Sequence, residues 1–183
     1  MPVLTKKFFE RSALKVAQEL LGKFLVMRNS VSFRGHRVSK FMITEVEAYG
    51  GPEDKASHAH RGKTLRNAPM FGPAGVWYVY FVYGMYNMLN IVTGLKGYPA
   101  AVLIRGVEGI KGPGKLTKTL KIDRKFNNKS ATQKSGLWIE SASAKTGGRR
   151  RGAKIKKSQI KSSPRIGVPY AGEWKDKHYR FYL

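Results

Sequence analysis

The chain has 183 residues, 42% of them hydrophobic, enough for one domain around one core. Thirty-five Lys and Arg stand against 11 Asp and Glu, a formal net charge of +24, and there is no cysteine. That excludes disulfides and cysteine-based metal or nucleophile sites, and it points to a polyanionic partner, nucleic acid before an anionic membrane surface.

The first residues, Met1 to Lys7, carry no apolar stretch of secretory-signal length, so none is expected. No apolar run is long enough for a membrane-spanning helix. Residues 8–22 read as one amphipathic helix, with Ser12 as a possible N-cap and Gly22 as its stop. Leu14, Ala17, Leu20 and Leu21 would line its packed face. Residues 23–27 form a short apolar strand, and residues 29–35 are turn-rich.

Arg37 then opens a long strand that ends at Tyr49, before Gly50, Gly51 and Pro52. Strand alternation puts Phe41, Ile43, Glu45, Glu47 and Tyr49 on one face. In so basic a chain, two carboxylates beside a phenol at a strand end need a reason. One reading is chemistry; the other is two acids solvated on a sheet edge.

Residues 51–73 form a long loop with little periodicity, the kind that is functional or disordered. It holds His58, His60, Arg61, Arg66 and Asn67, with Met70 and Phe71 to anchor it. His58 and His60 are a poor metal pair outside a strand, and no third ligand stands out. Residues 75–93 read as a β-hairpin around Tyr83, Gly84, Met85 and Tyr86. Trp77, Tyr78, Tyr80, Tyr83 and Tyr86 make it the most aromatic stretch. Exposed aromatics on a basic protein suit base stacking or wedging into a duplex, although ordinary packing could also use them. Asn90, inside an apolar strand, would need a partner if buried.

Residues 100–108 are a continuous apolar strand that contains Arg105. Its partner is either Glu108 or another surface acid, or the pair Glu45 and Glu47. Gly112, Pro113, Gly114 and Lys115 precede a helix over 116–122, whose start could hold a phosphate or be an ordinary cap. Residues 111–163 carry 16 Lys and Arg against Asp123 and Glu140, a net of +14. Residues 141–163 are poor in apolar residues and read as a flexible basic loop. Trp174, Tyr179, Phe181 and Tyr182 return the chain to folded composition and can close the sheet.

Taken together, these stretches resemble the alkyladenine (3-methyladenine) DNA glycosylase family. The matching pieces stand in family order: Phe8-Phe9 and the following helix, Thr-Glu-Val-Glu-Ala-Tyr-Gly-Gly-Pro-Glu-Asp at 44–54, Ser-His-Ala-His-Arg-Gly at 57–62, and Arg66-Asn67. Then come Met-Phe-Gly-Pro at 70–73, Tyr-Val-Tyr-Phe-Val-Tyr-Gly-Met-Tyr at 78–86, Asn90-Ile91, Leu-Ile-Arg at 103–105, and Gly-Pro-Gly-Lys-Leu at 112–116. Arg-Ile-Gly-Val at 165–168, Ala-Gly-Glu-Trp at 171–174 and Arg-Phe-Tyr at 180–182 complete the set. Each piece is weak alone; the ordered set is specific. Two departures are visible. Leu65 stands where the family commonly has proline, and the Lys/Arg-rich insertion at 141–163 is not a family constant.

The resemblance implies an α+β fold: a single compact domain over 1–183 with a curved antiparallel β-sheet, flanking helices and a protruding β-hairpin. It implies hydrolysis of the N-glycosidic bond of a damaged purine flipped from double-stranded DNA, leaving an abasic site with the strand uncut. It makes Glu47 the general base that activates water and Arg105 its helper. It makes Tyr49, His58, Tyr80 and Asn90 the base-binding residues, and Tyr83 the intercalating wedge. Arg66, Lys115 and Arg165 are the expected DNA-backbone contacts. The resemblance implies no metal or other cofactor, no membrane partner, a monomer, and an intracellular place of work on DNA.

Two rivals fit the composition. A non-catalytic RNA-associated protein would explain the charge and the aromatics, but not Glu47, Arg105 and the tyrosines together. A glycosidase of free sugars would use a carboxylate, but a charge of +24 suits neutral substrates poorly.

Overall fold

A computed structural model describes residues 1–33, 36–82, 84–142 and 155–183. Its centre is β2 (His36–Tyr49), which is long enough to serve two neighbourhoods. Its first half pairs with β1 (Phe24–Phe33). Its second half lies between β5 (Ala100–Val107) and the C-terminal β9 (Arg180–Tyr182). Beyond β5 come β4 (Tyr86–Thr93) and β3 (Trp77–Val82), the two arms of the hairpin. Beyond β1 comes β7 (Leu137–Glu140). Two short strands, β6 (Ile110–Lys111) and β8 (Lys161–Ser163), add to β5 and β9. The described strands all pair antiparallel in one open sheet.

The sheet has one face for packing and another for the site. Trp77 and Val79 on β3, Leu89 and Ile91 on β4, Val102 and Ile104 on β5, and Val46 and Ala48 on β2 form the main core. The helices α2 (Ala13–Leu20) and α3 (Pro113–Thr119) close over it. Period-two alternation then sends the intervening residues of these strands to the opposite face. There a smaller cluster of Ala59, Met70, Val76, Tyr78, Val92 and Ala101 anchors the 51–73 segment.

Several sequence expectations shift. The single helix over 8–22 is two pieces, α1 (Lys6–Phe9) and α2, because Ser12 takes the extended conformation of an N-cap (φ −55°, ψ 145°). Val16 is buried on the packed face and Leu14 is only half-buried. The stretch expected to be turn-rich over 29–35 is strand as far as Phe33, where β1 ends. The helix expected over 116–122 begins earlier, with Pro113 in its first turn. Gly114 is needed there: a Cβ would lie 2.8 Å from the Tyr86 ring, so only glycine lets α3 dock this closely on the hairpin. Of the basic stretch 141–163, residues 143–154 lie outside the described residues. Its end is ordered, as a 3-10 turn over Lys157–Gln159 and strand β8. A ladder partner 17 to 21 residues downstream, on β9, supplies that order.

The most informative shift is in β2. Ile43 belongs to the main core together with Val46 and Ala48. Strict alternation cannot put 43, 46 and 48 on one face. The pairing with β5 slips between Ile43 and Val46, a β-bulge. Phe41 and Ile43 therefore pack toward the helices, while Glu45, Glu47 and Tyr49 turn to the other face. The five residues expected on one face are split by the bulge, a device that re-aims side chains near functional sites.

Candidate active site

Four adjacent strands, β2, β5, β4 and β3, floor a cavity of about 300 Å³ on the face away from the helices, at the small end of ligand pockets. Glu47 and Tyr49 enter from β2, Arg105 from β5, Asn90 from β4, and Tyr78 and Tyr80 from β3. The 51–73 segment brings His58 to its edge, and Ile166 and Tyr170 form a lip from the C-terminal loop.

Glu47 is fully buried (0% exposed). Its Oε1 accepts the backbone N–H of Ile166 at 2.8 Å. Its Oε2 accepts the Tyr49 hydroxyl at 2.9 Å and faces Arg105 Nη1 at 3.2 Å. A carboxylate has about four lone-pair positions. These three donors hold the group rigidly and leave acceptor capacity for a water. Burial, followed by the neighbouring Glu47 carboxylate, raises the Tyr49 phenol well above its ordinary value. Tyr49 therefore keeps its proton and stays a donor to Glu47.

Arg105 answers the question of its partner. Its Nε donates to Glu45 Oε1 at 2.8 Å, and its Nη1 meets Glu47; Glu108 is exposed. Burial opposes the charge of Arg105, but Glu47 and then Glu45 outweigh it and raise its value. Glu45 also accepts from Arg180 Nε at 2.7 Å. Burial pushes Glu45 up, yet its hydrogen bonds from Arg105 and Arg180 bring it below the usual carboxylate range.

The aromatic wall is built on β3. The rings of Tyr78 and Tyr80 lie 5.0 Å apart, and the His58 ring stands edge-on to Tyr80 at 4.5 Å. His58 Nδ1 and the Tyr78 hydroxyl share a hydrogen bond of 3.1 Å. Burial pushes the Tyr78 phenol up to about 12 and also raises Tyr80. Desolvation, with the nearby Arg66 charge, lowers His58 below its ordinary value. The imidazole is therefore neutral near pH 7. Asn90 is buried, and its amide donates to the carbonyls of Tyr78 (3.1 Å) and Met88 (3.3 Å).

The outer residues separate. Arg66 is exposed; its guanidinium lies 5.1 Å over the Tyr80 ring and donates to the Phe81 carbonyl at 3.0 Å. Lys115 is exposed on α3. Tyr83 lies outside the described residues; its neighbours Phe81 and Met85 are exposed. Arg165, the third expected backbone contact, points inward. Its side chain is 0% exposed and grips Asp54 through both terminal nitrogens, at 2.6 and 2.8 Å. It also donates to the carbonyls of Ala48 and Trp174. The pair anchors the loop that carries Ile166. His60 bonds the Pro52 carbonyl at 2.7 Å. The described residues contain no group of three or more His, Cys, Asp or Glu that could hold a metal, and no helix long and apolar enough to cross a membrane.

Four participants were missed in the sequence: Tyr78, Arg180, Asp54 and the Ile166 N–H. Tyr78 carried a usable signal, since residues two apart on a strand share a face and Tyr80 was already placed. The others act across 111 to 135 residues, where no local pattern reaches.

Comparison with known proteins gives the family. The model of the methylpurine-DNA glycosylase family matches residues 7–112 and 108–183. The chain belongs to this family. A relative from Anaeromyxobacter sp. (strain Fw109-5) is 40% identical over 98% of this chain and 88% of its own length. One from Legionella pneumophila (strain Corby) is 40% identical over 100% and 95%. One from Methanocella arvoryzae is 42% identical over 100% and 92%. Each carries the name "Putative 3-methyladenine DNA glycosylase". Membership makes the chain a DNA glycosylase, a repair hydrolase that acts on N-glycosidic bonds in DNA.

Proposed function

We propose that the chain is a monofunctional glycosylase that removes damaged purines, of the 3-methyladenine, 7-methylguanine and hypoxanthine type, from double-stranded DNA. Residues 1–183 act as one monomeric glycosylase domain. The observation that carries this reading is the fully buried Glu47 carboxylate on the floor of an aromatic cavity.

The glycosidic carbon lies inside the duplex, so the nucleotide must leave the stack, at roughly a few kcal/mol. Tyr83, which in sequence lies between β3 and β4, fills the gap. Arg66 and Lys115 contact backbone phosphates. The extruded base lies against Tyr80 and Tyr49, beside His58. A methylated purine carries positive charge, and electron-rich rings favour such a cation by roughly 0.5–2 kcal/mol. The neutral His58 adds no opposing charge. Asn90, held by its amide to two carbonyls, limits the edge that a base can present.

The reaction then needs little from the protein. Water forms its bond to C1′ as the C1′–N bond breaks. The bond electrons go to the base, which leaves neutral if it was cationic. Glu47 takes the proton of the water and opposes the positive charge that builds on the sugar. Arg105 fixes the carboxylate and the water beside it. Hypoxanthine, being neutral, must be protonated as it leaves, so it reacts more slowly.

The test uses duplexes that each carry one 7-methylguanine, hypoxanthine or undamaged guanine. After incubation, half of each sample receives alkali. Strand breaks at the lesion only after alkali, and none at guanine, are the expected result. Breaks without alkali contradict the monofunctional reading, and no alkali-labile sites contradict the activity.

A further inference from the structure

Behind Glu47 lies a second layer that base activation by one carboxylate does not require. Glu45 Oε1 accepts two guanidinium hydrogen bonds, from Arg105 Nε at 2.8 Å and Arg180 Nε at 2.7 Å. Three strands meet there. Glu45 is on β2, opposite Gly106 on β5 and Tyr182 on β9. Gly106 allows the approach, since a Cβ there would lie 3.3 Å from the Glu45 Cβ. The bulge between Ile43 and Val46 turns Glu45 to this side at all.

We propose that Glu45 and Arg180 are positioning residues that aim Arg105 at Glu47 and set the charge that Glu47 experiences during base excision. The proposal rests on the reading of Glu47 as the base. Two physical reasons support it. The first is geometric. A guanidinium is planar and forked, so holding Nε fixes the plane and therefore where Nη1 points. Glu45 holds Nε, and Nη1 reaches Glu47 at 3.2 Å. Arg180 shares the same Glu45 oxygen and keeps that carboxylate from rotating away.

The second reason is charge. Glu45, Glu47, Arg105 and Arg180 together sum to zero in a site largely shielded from water. The other groups facing this centre are the phenols of Tyr49, Tyr80 and Tyr170, the neutral His58, Arg66 over Tyr80, and Arg165, whose charge Asp54 matches. Removing Glu45's charge leaves two cations facing Glu47. Two cations drawing on one carboxylate weaken Glu47 as a base toward water. Removing Arg180's charge does the reverse. A merely structural role for this layer would move both variants the same way, by loosening the fold.

The experiment measures single-turnover excision of 7-methylguanine from duplex DNA over a pH range that spans the wild-type acid limb, with saturating protein and spontaneous depurination subtracted. Glu45→Gln should lower the plateau rate roughly ten- to a hundredfold and move the acid limb down by about one pH unit. Arg180→Gln should move the acid limb up. Arg180→Lys, which restores the charge, should bring the limb back toward the wild-type position. Titration of His58 and of the DNA is common to all variants and cancels in the comparison. The Arg180 side chain is 25% exposed, and melting curves check that its variants are folded. If melting shows that Glu45→Gln does not fold, the direction of the Arg180→Gln shift decides alone. Limbs that stay put, or move together, overturn the proposal while leaving Glu47 as base. Excision by Glu47→Gln at the wild-type rate would instead overturn the base assignment beneath it.

Discussion

Two buried arginines, each paired with carboxylates, behave differently. Arg165 is closed. Both terminal nitrogens grip Asp54, two backbone carbonyls take further hydrogens, and both side chains are 0% exposed. The rings of Tyr49 and Tyr179 cover its face at 4.8 and 5.2 Å. Arg105 is open. It divides its donors between Glu45 and Glu47 and lines a cavity of about 300 Å³. Only the second pair can meet a ligand. Burial and pairing alone therefore do not mark a functional charge. Access to a cavity does.

The largest effect that would break this contrast lies at the closed pair. Removing one partner of a buried ion pair leaves the other charge uncompensated, at a cost of about 3–5 kcal/mol. Arg165→Met should lower the melting temperature by on the order of 10 °C in a chain of this size. It should reduce excision only as far as folded protein is lost. A small thermal effect with weakened binding of undamaged duplex would restore a phosphate role to Arg165.

At the open pair the order reverses. Arg105→Lys keeps the charge but loses the fork, so it cannot hold Glu45 and Glu47 together. Single-turnover excision should fall roughly ten- to a hundredfold, with less than half the thermal loss of Arg165→Met. Equal thermal losses in the two variants would erase the distinction.

How much of this was legible in the sequence follows the range of the interactions. The hairpin and β5 were readable because their apolar and aromatic runs declare strands locally. Glu47, Arg105, His58 and Tyr80 were reached through short motifs, and the structure brings all four to one cavity. The facing of β2 was half wrong. A bulge depends on the register of β5, and nothing within residues 41–49 announces it. The pairing of Arg165 with Asp54 was not foreseen, because the two lie 111 residues apart. An unpaired basic residue in a +24 chain reads naturally as a phosphate contact. Arg180, quoted only as part of the 180–182 motif, was given no role for the same reason, at a separation of 135 residues from Glu45.

A smaller effect sharpens the account of the cavity wall. His58 is lowered from the ordinary imidazole value of 6.5, first by desolvation and then by Arg66. With its folded value below its unfolded one, its contribution is fully present above 6.5. As pH falls, the unfolded chain takes up the proton first, and stability is lost through the lowered folded value. The wild-type melting temperature should therefore drop more between pH 7.5 and 5.5 than that of His58→Gln. Parallel drops would mean that His58 titrates as it does in the unfolded chain.

The central claim is that Glu47 is the base, and Glu47→Gln tests it most directly. The amide keeps the shape and loses the ability to take a proton. Single-turnover excision of 7-methylguanine from duplex DNA should fall by about 10²- to 10⁴-fold, while the variant still melts cooperatively and binds the lesion duplex with wild-type affinity. Excision at a near-wild-type rate by a pure, folded Glu47→Gln sample would contradict the account.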